Sequence, residues 1–290
     1  MLSTREIKQR IRGVTNIQQI TRAMEMVAAS RLRKAEARII AARPYNEKMT
    51  GLLNYLATTA VGKTHPLLRP RDVKVIKILL ITADKGLCGA YNANIIQHTL
   101  RFMRQNPDKD IRLILIGRKG KTFFGRRKYN IEKNIPDDVE KIGEERVVEL
   151  AGQFITDFEA GACDQVQIFF TKFVTIMRCT PTSIKLIPVE TVATEEVRKV
   201  ALQTDYIFEP SAEDIFSKLF PKYVESSIRC ALWESSASEF AARRVAMIAA
   251  SENAEEMIDE LVRSYNRARQ EAITKELLEI VSGAEALERK

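Results

Sequence analysis

Two Gly-Lys-Thr strings are the first residues whose types could do chemistry. A glycine-rich loop ending in Lys and Ser or Thr cradles phosphates. The strings are Gly62–Thr64 and Gly120–Thr122. The phosphate motif needs another glycine five residues before its last one, and Ala57 and Leu115 stand at those places. Pro66 also blocks a helix directly after the first string. Neither string reads as a nucleotide loop. A third stretch, "ITADKGLCGAYN" (Ile81–Asn92), sits between a strand-like run and a helix-like one. Rossmann domains receive pyrophosphate at such a point. Here, however, the glycines are spaced GxxG rather than GxGxxG, and Asp84 would set a carboxylate against a phosphate. A tight strand-to-helix turn is the better reading.

The remaining candidates thin out quickly. Cys88, Cys163, Cys179 and Cys230 include no CxxC pair, and His65 and His98 are the only histidines. That set supplies neither a metal cage nor a Cys-His or Ser-His-Asp arrangement. It suits a reduced compartment. The chain has 290 residues, a net charge of +8 and 45% hydrophobic residues, an ordinary globular composition. The modest, spread-out positive excess points to acidic partners or surfaces and does not require a nucleic acid. The most apolar run carries Lys77 and is too short to span a bilayer. The amino-terminal residues lack the apolar core of a signal peptide.

What, then, positions these residues? Three blocks separate, at residues 1–60, 72–207 and 210–290. In the first, Ile7, Ile11, Val14, Ile17, Ile20, Met24, Val27 and Leu32 recur mostly at steps of three and four. That spacing predicts an amphipathic helix with a narrow seam. Ser3 with Glu6 forms a capping-box pattern, and Pro44 is expected to end or kink the helix. "RLRKAEAR" (Arg31–Arg38) is a basic run on the same helix, either a solvated face or a docking surface for acidic loops. In the middle block, Lys74–Thr82, Ile111–Gly117, Gln165–Phe173 and Thr182–Val189 read as strands with helical stretches between them. Such alternation implies a Rossmann-like, mostly parallel sheet with flanking helices.

The third block contains no Gly or Pro from Lys222 to Ser282, a helix-compatible run of about 61 residues or roughly 90 Å. Pro221 should break or kink the chain just before it. Neither terminal helix can bury its seam alone, and both attach to one domain. An α/β domain with a long antiparallel coiled coil of amino- and carboxyl-terminal helices follows. The later helix is longer and should outrun its partner. Its end, with Ile273, Leu277, Leu278, Ile280 and Val281, then needs an external sleeve.

These residues resemble a known family. "ITRAMEMVAASRLRKA", "TADKGLCGAYN", "FAARRVAMIAASENAEEMI" and "YNRARQEAITKELLEIVSGAEAL" look like the gamma subunits of F-type ATP synthases, in order and over nearly the whole chain. The resemblance implies a central rotor shaft of the bacterial type. It couples ion-driven rotation of a c-subunit ring to conformational change at beta-subunit catalytic sites. The implied partners are three alpha and three beta subunits, an epsilon subunit and the c ring. The chain would be non-catalytic, without cofactor, metal, nucleic acid or directly bound small-molecule substrate. It would lie peripherally on the cytoplasmic side of the plasma (inner) membrane.

The resemblance also implies residue roles. Arg269, Gln270 and Thr274 would contact an acidic loop of a beta subunit, as would Met24, Arg33 and Lys85. Arg31 and Lys34 would add to these contacts, and Asp84 and Cys88 belong to the same turn as Lys85. Ile273, Leu277 and Ile280 would form a bearing tip. Tyr206 and Glu209 would meet the c ring, with Phe208 where the family often has a second tyrosine. Two rival classes remain. A free-standing coiled-coil scaffold should pair along its full length, and a nucleotide-using enzyme should have a working phosphate loop.

Overall fold

The computed structural model describes residues 3–58, 66–68, 71–137, 139–189, 209 and 211–288. The Gly62–Thr64 string and Tyr206 lie outside the described residues. The chain divides into two compact units, Met1–Ala28 with Arg244–Lys290, and Ala29–Arg243. Helix α1 (Thr4–Thr58) and helix α5 (Ala212–Glu288) contribute to both.

The second unit contains a five-stranded sheet. Its strands are β1 (Val75–Ile81), β2 (Asp110–Ile116), β3 (Ile131–Ile135), β4 (Gln165–Thr175) and β5 (Arg178–Ile187). The spatial order is β3-β2-β1-β4-β5. β1 runs parallel to β2 and β4, β2 parallel to β3, and β5 antiparallel to β4. The mostly parallel sheet expected from the alternating pattern is therefore present. Helix α2 (Tyr91–Gln105) and helix α3 (Arg118–Gly125) cover one face, where Ile76, Ile78, Leu80 and Phe169 pack with Ile95 and Phe124. On the other face helix α4 (Glu144–Glu159) and α5 pack over Leu79, Ile81, Ile114 and Ile168. Phe154, Phe158, Phe216 and Phe220 are fully buried there, each side chain contributing about 1.5–3 kcal/mol.

Lys77 is the exception in the central strand. It is 3% exposed, and its ammonium donates to Glu132 at 2.5 Å and to Asp157 at 2.8 Å. Burial pushes its pKa down, but the bonds to Asp157 and Glu132 together outweigh burial and hold it above the usual lysine value. A charge in the middle of an apolar strand is tolerated because two carboxylates meet it.

Four expectations change. β3 and α3 add to the elements expected from sequence; both are short, at five and eight residues. The last two strands form a hairpin around Ile176 and Met177, so β5 begins at Arg178 rather than Thr182. Of the expected end or kink at Pro44 and Pro221, the end does not occur, since both lie inside α1 and α5. At Pro44 the lost hydrogen bond frees the carbonyl of Ile40, and both residues are exposed, so that carbonyl is not buried without a partner. At Pro221 the freed carbonyl belongs to exposed Ser217. Finally, Ile17, Ile20 and Val27 are exposed rather than part of the buried seam. Among the protected positions of α1, one series runs Ile7, Ile11, Val14, Gln18, Thr21, Glu25, Ala28, Leu32, Ala35 and Ile39. That is an unbroken alternation of steps of four and three, a heptad seam that includes polar and small residues. The capping box at the start of α1 is present: Ser3 N–H donates to Glu6 Oε2 at 2.8 Å, and Glu6 N–H donates to Ser3 Oγ at 3.3 Å.

Candidate functional site

Within the second unit, the sheet is joined to α1 and α5 at a strand edge. β4 pairs with β1 as far as Phe169, and from Thr171 onward its far side has no strand beside it among the described residues. Side chains of α5 and α1 replace the missing strand. Ser235 Oγ accepts from Thr171 N–H at 3.3 Å, and Ser238 Oγ donates to Thr171 C=O at 3.0 Å. Glu234 Oε2 accepts from Phe173 N–H at 2.7 Å, and Arg43 Nη2 donates to Phe173 C=O at 3.0 Å. Arg43 also donates to Glu234 Oε1 at 3.1 Å, closing a loop of three elements. Backbone groups that would otherwise be buried and unsatisfied thus tie the sheet to both helices. Leu32, Ala35 and Ile39 of α1 pack beside this edge against Phe173, Ala237, Phe240 and Ala241. Sequence periodicity missed the junction. The visible signal was "ESSASE" (Glu234–Glu239), three serines and two glutamates between the apolar runs Ala231–Trp233 and Phe240–Ala242. Serine is a poor interior helix residue unless its hydroxyl has other work.

The "TADKGLCGAYN" turn adds a second attachment. Ala83, Cys88 and Tyr91 pack against Ala242, and Arg243 donates to Gly86 C=O at 3.3 Å and to Glu239 at 2.7 Å. Asn92 Oδ1 accepts from Ala83 N–H at 2.9 Å. Asp84 takes the N–H of Arg118 at 2.9 Å and its guanidinium at 3.1 Å, so its carboxylate sits at the start of α3. Gly117 opens that helix with φ +88°, and a Cβ there would lie 2.1 Å from Thr82 C=O. The Gly120–Thr122 string lies inside α3, with Gly120 N–H donating to Thr82 Oγ1 at 3.0 Å. Burial pushes the Cys88 thiol pKa up, and all four cysteines are free.

In the first unit, α1 and α5 pair antiparallel. Thr21 and Ser251 share a buried hydrogen bond of 2.6 Å, Arg22 and Gln18 both reach Glu255, and Glu25 faces Arg244 at 3.8 Å. Ala28, Ser251 and Ala254 are buried, so small side chains keep the pair slim. Along α5 the protected positions run Met247, Ser251, Ala254, Ile258, Leu261, Tyr265 and Ala268, again in steps of four and three. The Thr21–Ser251 register places Thr4, the start of α1, opposite about Ala268. From Arg269 to Ser282 every residue is exposed, including Ile273, Leu277, Leu278, Ile280 and Val281. The later helix does outrun its partner.

The remaining anticipated residues fall as follows. Arg269, Gln270 and Thr274 are exposed on this free end. Met24 is half-buried in the first unit, while Arg33, Lys34 and Lys85 are exposed in the second. Arg31 is engaged within the chain, bonded to Glu140 at 3.1 Å and lying 5.7 Å above the Phe240 ring. Asp84 and Cys88 are likewise committed internally. Glu209 is exposed.

A family model described as ATP synthase matches residues 3–287. The "ATP synthase gamma chain" of Desulfitobacterium hafniense is 44% identical over 288 residues, covering 99% of this chain and 100% of its own. That of Heliobacterium modesticaldum is 44% identical over 291 residues, with 99% and 100% covered. Among solved structures, a chain of the Tetrahymena thermophila mitochondrial ATP synthase central stalk and c ring is 26% identical. It covers 80% of this chain and 99% of its own, with a TM-score of 0.61. A chain of the Euglena gracilis mitochondrial ATP synthase shares the fold at 17% identity and a TM-score of 0.67, with 98% and 94% covered. With its sheet-bearing unit, antiparallel helices and free helical end, the chain belongs to the ATP synthase gamma chain family.

Proposed function

We propose that this gamma chain, the rotor shaft of an F-type ATP synthase, works through its free helical end, its exposed basic residues and its sheet-bearing unit. The observation that favours this reading is the exposed run from Arg269 to Ser282. It carries an apolar set that a solitary helix in water would not keep without a cover. A ring of three alpha and three beta subunits supplies that cover. Ile273, Leu277 and Ile280 ride in the bearing, where apolar contact has no preferred angle. Arg269 and Gln270, with Thr274, engage a carboxylate loop of one beta subunit at a time, since bidentate arginine contacts depend on orientation. Met24, Arg33 and Lys85 meet further beta loops.

Each shaft angle then favours a different conformer at each beta site, so the shaft works by differential contact. The chain itself performs no catalysis and binds no cofactor. Residues 1–60 and 210–290 serve as the axle, and residues 72–207 as the coupling domain toward the epsilon subunit and the c ring. Tyr206 and Glu209 touch that ring. No described helix is long and apolar enough to cross a membrane, which suits peripheral attachment on the cytoplasmic side of the plasma membrane.

Native mass spectrometry of the purified complex tests the assembly. One copy of this chain per three alpha and three beta subunits is expected, and equal numbers would overturn the reading. In the same complex, Arg269→Ala should lower ATP-driven ion pumping severalfold with the assembly intact. Unchanged pumping would remove the orientation-reading role.

A further inference from the structure

The groove between α2 and α3 has no part in the shaft mechanism. It encloses about 670 Å³ and lies on the sheet face opposite α4 and α5. Its walls are cationic. Arg101 and Arg104 come from α2, Lys119 from α3, and Arg126 and Arg127 from the segment just after α3. No carboxylate lines the groove, and none of the five cations forms an ion pair among the described residues. Elsewhere on this unit several cations do have a carboxylate: Arg118 has Asp84, Arg112 has Asp110 and Lys133 has Glu149. The floor is different in kind. Ile96, Leu100 and Phe123 form it, and the Arg127 guanidinium stacks 3.9 Å from the Phe123 ring centroid. That stacking, with Arg127 Nη1 donating to Phe123 C=O at 3.3 Å, holds one cation at the rim.

We infer that this groove docks an acidic amphipathic segment of a partner protein, its carboxylates on the arginine walls and an apolar side chain on the Phe123 floor. Charge complementarity selects the occupant. Five unmatched cations around an apolar floor suit spaced carboxylates on a hydrophobic backbone. A lone phosphate would use neither the length of the walls nor the floor. The inference stands apart from the bearing and beta-loop contacts, because none of those residues lines the groove.

Fluorescence anisotropy on the full chain tests it, with a labelled helical peptide bearing Glu on one face and Leu on the other. The paired variant Arg101→Glu with Arg126→Glu should weaken binding at least tenfold. Arg5→Glu with Lys8→Glu, on the exposed start of α1, should leave it unchanged. A peptide with Ser in place of Leu should bind at least tenfold more weakly. Equal losses in both variants, or equal binding of the Ser peptide, would reduce the effect to diffuse charge and overturn the inference. Vesicles of phosphatidylglycerol serve as the competing arm. If they bind the wild type but not the groove variant, while the peptide binds both alike, the groove belongs to lipid headgroups instead.

Discussion

Glu234 is the best single test of how the sheet is fastened to the helices. Its carboxylate accepts Phe173 N–H at 2.7 Å and Arg43 at 3.1 Å, and its side chain is 11% exposed. Glu234→Ala strips the acceptor from a buried backbone N–H. An orphaned donor of that kind costs about 1–3 kcal/mol. The Arg43 partnership adds less, because the Arg43 side chain is 44% exposed and water can replace the carboxylate; pairs of that exposure contribute roughly 0–1 kcal/mol. The expected loss is therefore about 1–4 kcal/mol, most of it from one amide. Glu234→Gln keeps an acceptor for Phe173 but loses charge assistance, so about 1 kcal/mol is expected. Urea unfolding of the isolated chain measures both, and hydrogen exchange reads the Phe173 amide directly. A cycle with Arg43→Met should give a coupling below about 1 kcal/mol. Were Glu234→Ala to cost under about 0.5 kcal/mol, with Phe173 still protected, the side chains would not be standing in for a strand.

Two further outcomes follow from the same geometry. At Asp164, burial pushes the carboxyl pKa up, but the N–H groups of Val75 and Lys74 together outweigh it and hold the group below the usual aspartate value. Its contribution is thus fully present above the unfolded value near about 3.9 and is lost as pH falls through the lower native value; Asp164→Asn should flatten that acid limb in urea titrations between about pH 2 and 5. Gly117→Ala would place a Cβ 2.1 Å from Thr82 C=O at a φ of +88°, so a loss above about 3 kcal/mol is expected in thermal unfolding, and a smaller one would mean that the β2–α3 turn can shift.

Much of the architecture is legible from local patterns. The apolar runs of β1, β2 and β4 marked a buried parallel sheet, because strands covered on both faces need no alternation. The Gly- and Pro-free run after Lys222 marked a helix too long for a globular core. Its attachment, with the amino-terminal helix, to one domain predicted the antiparallel pair. Comparing the two helix lengths predicted the bare end that carries Ile273 to Val281. β3 and α3 escaped notice because "IEKNI" and "RKGKTFFG" are short and mixed in character, and their conformations are set by β2 and by Thr82.

The finer assignments depended on what each residue meets in space. Ile17, Ile20 and Val27 share the helical period of the seam, yet the pairing buries Thr21 and Ala28 instead. Only the register of α5 distinguishes those two faces, since both repeat at the same interval. Arg31 and Arg33 look equivalent in "RLRKAEAR", but Glu140 reaches the first alone. The bonds from Glu234, Ser235, Ser238 and Arg43 to Thr171 and Phe173 join residues more than sixty positions apart. Periodicity records which side of an element is apolar. It holds no record of which distant backbone groups lose their strand partner, and those groups decided where the polar side chains of the long helices went.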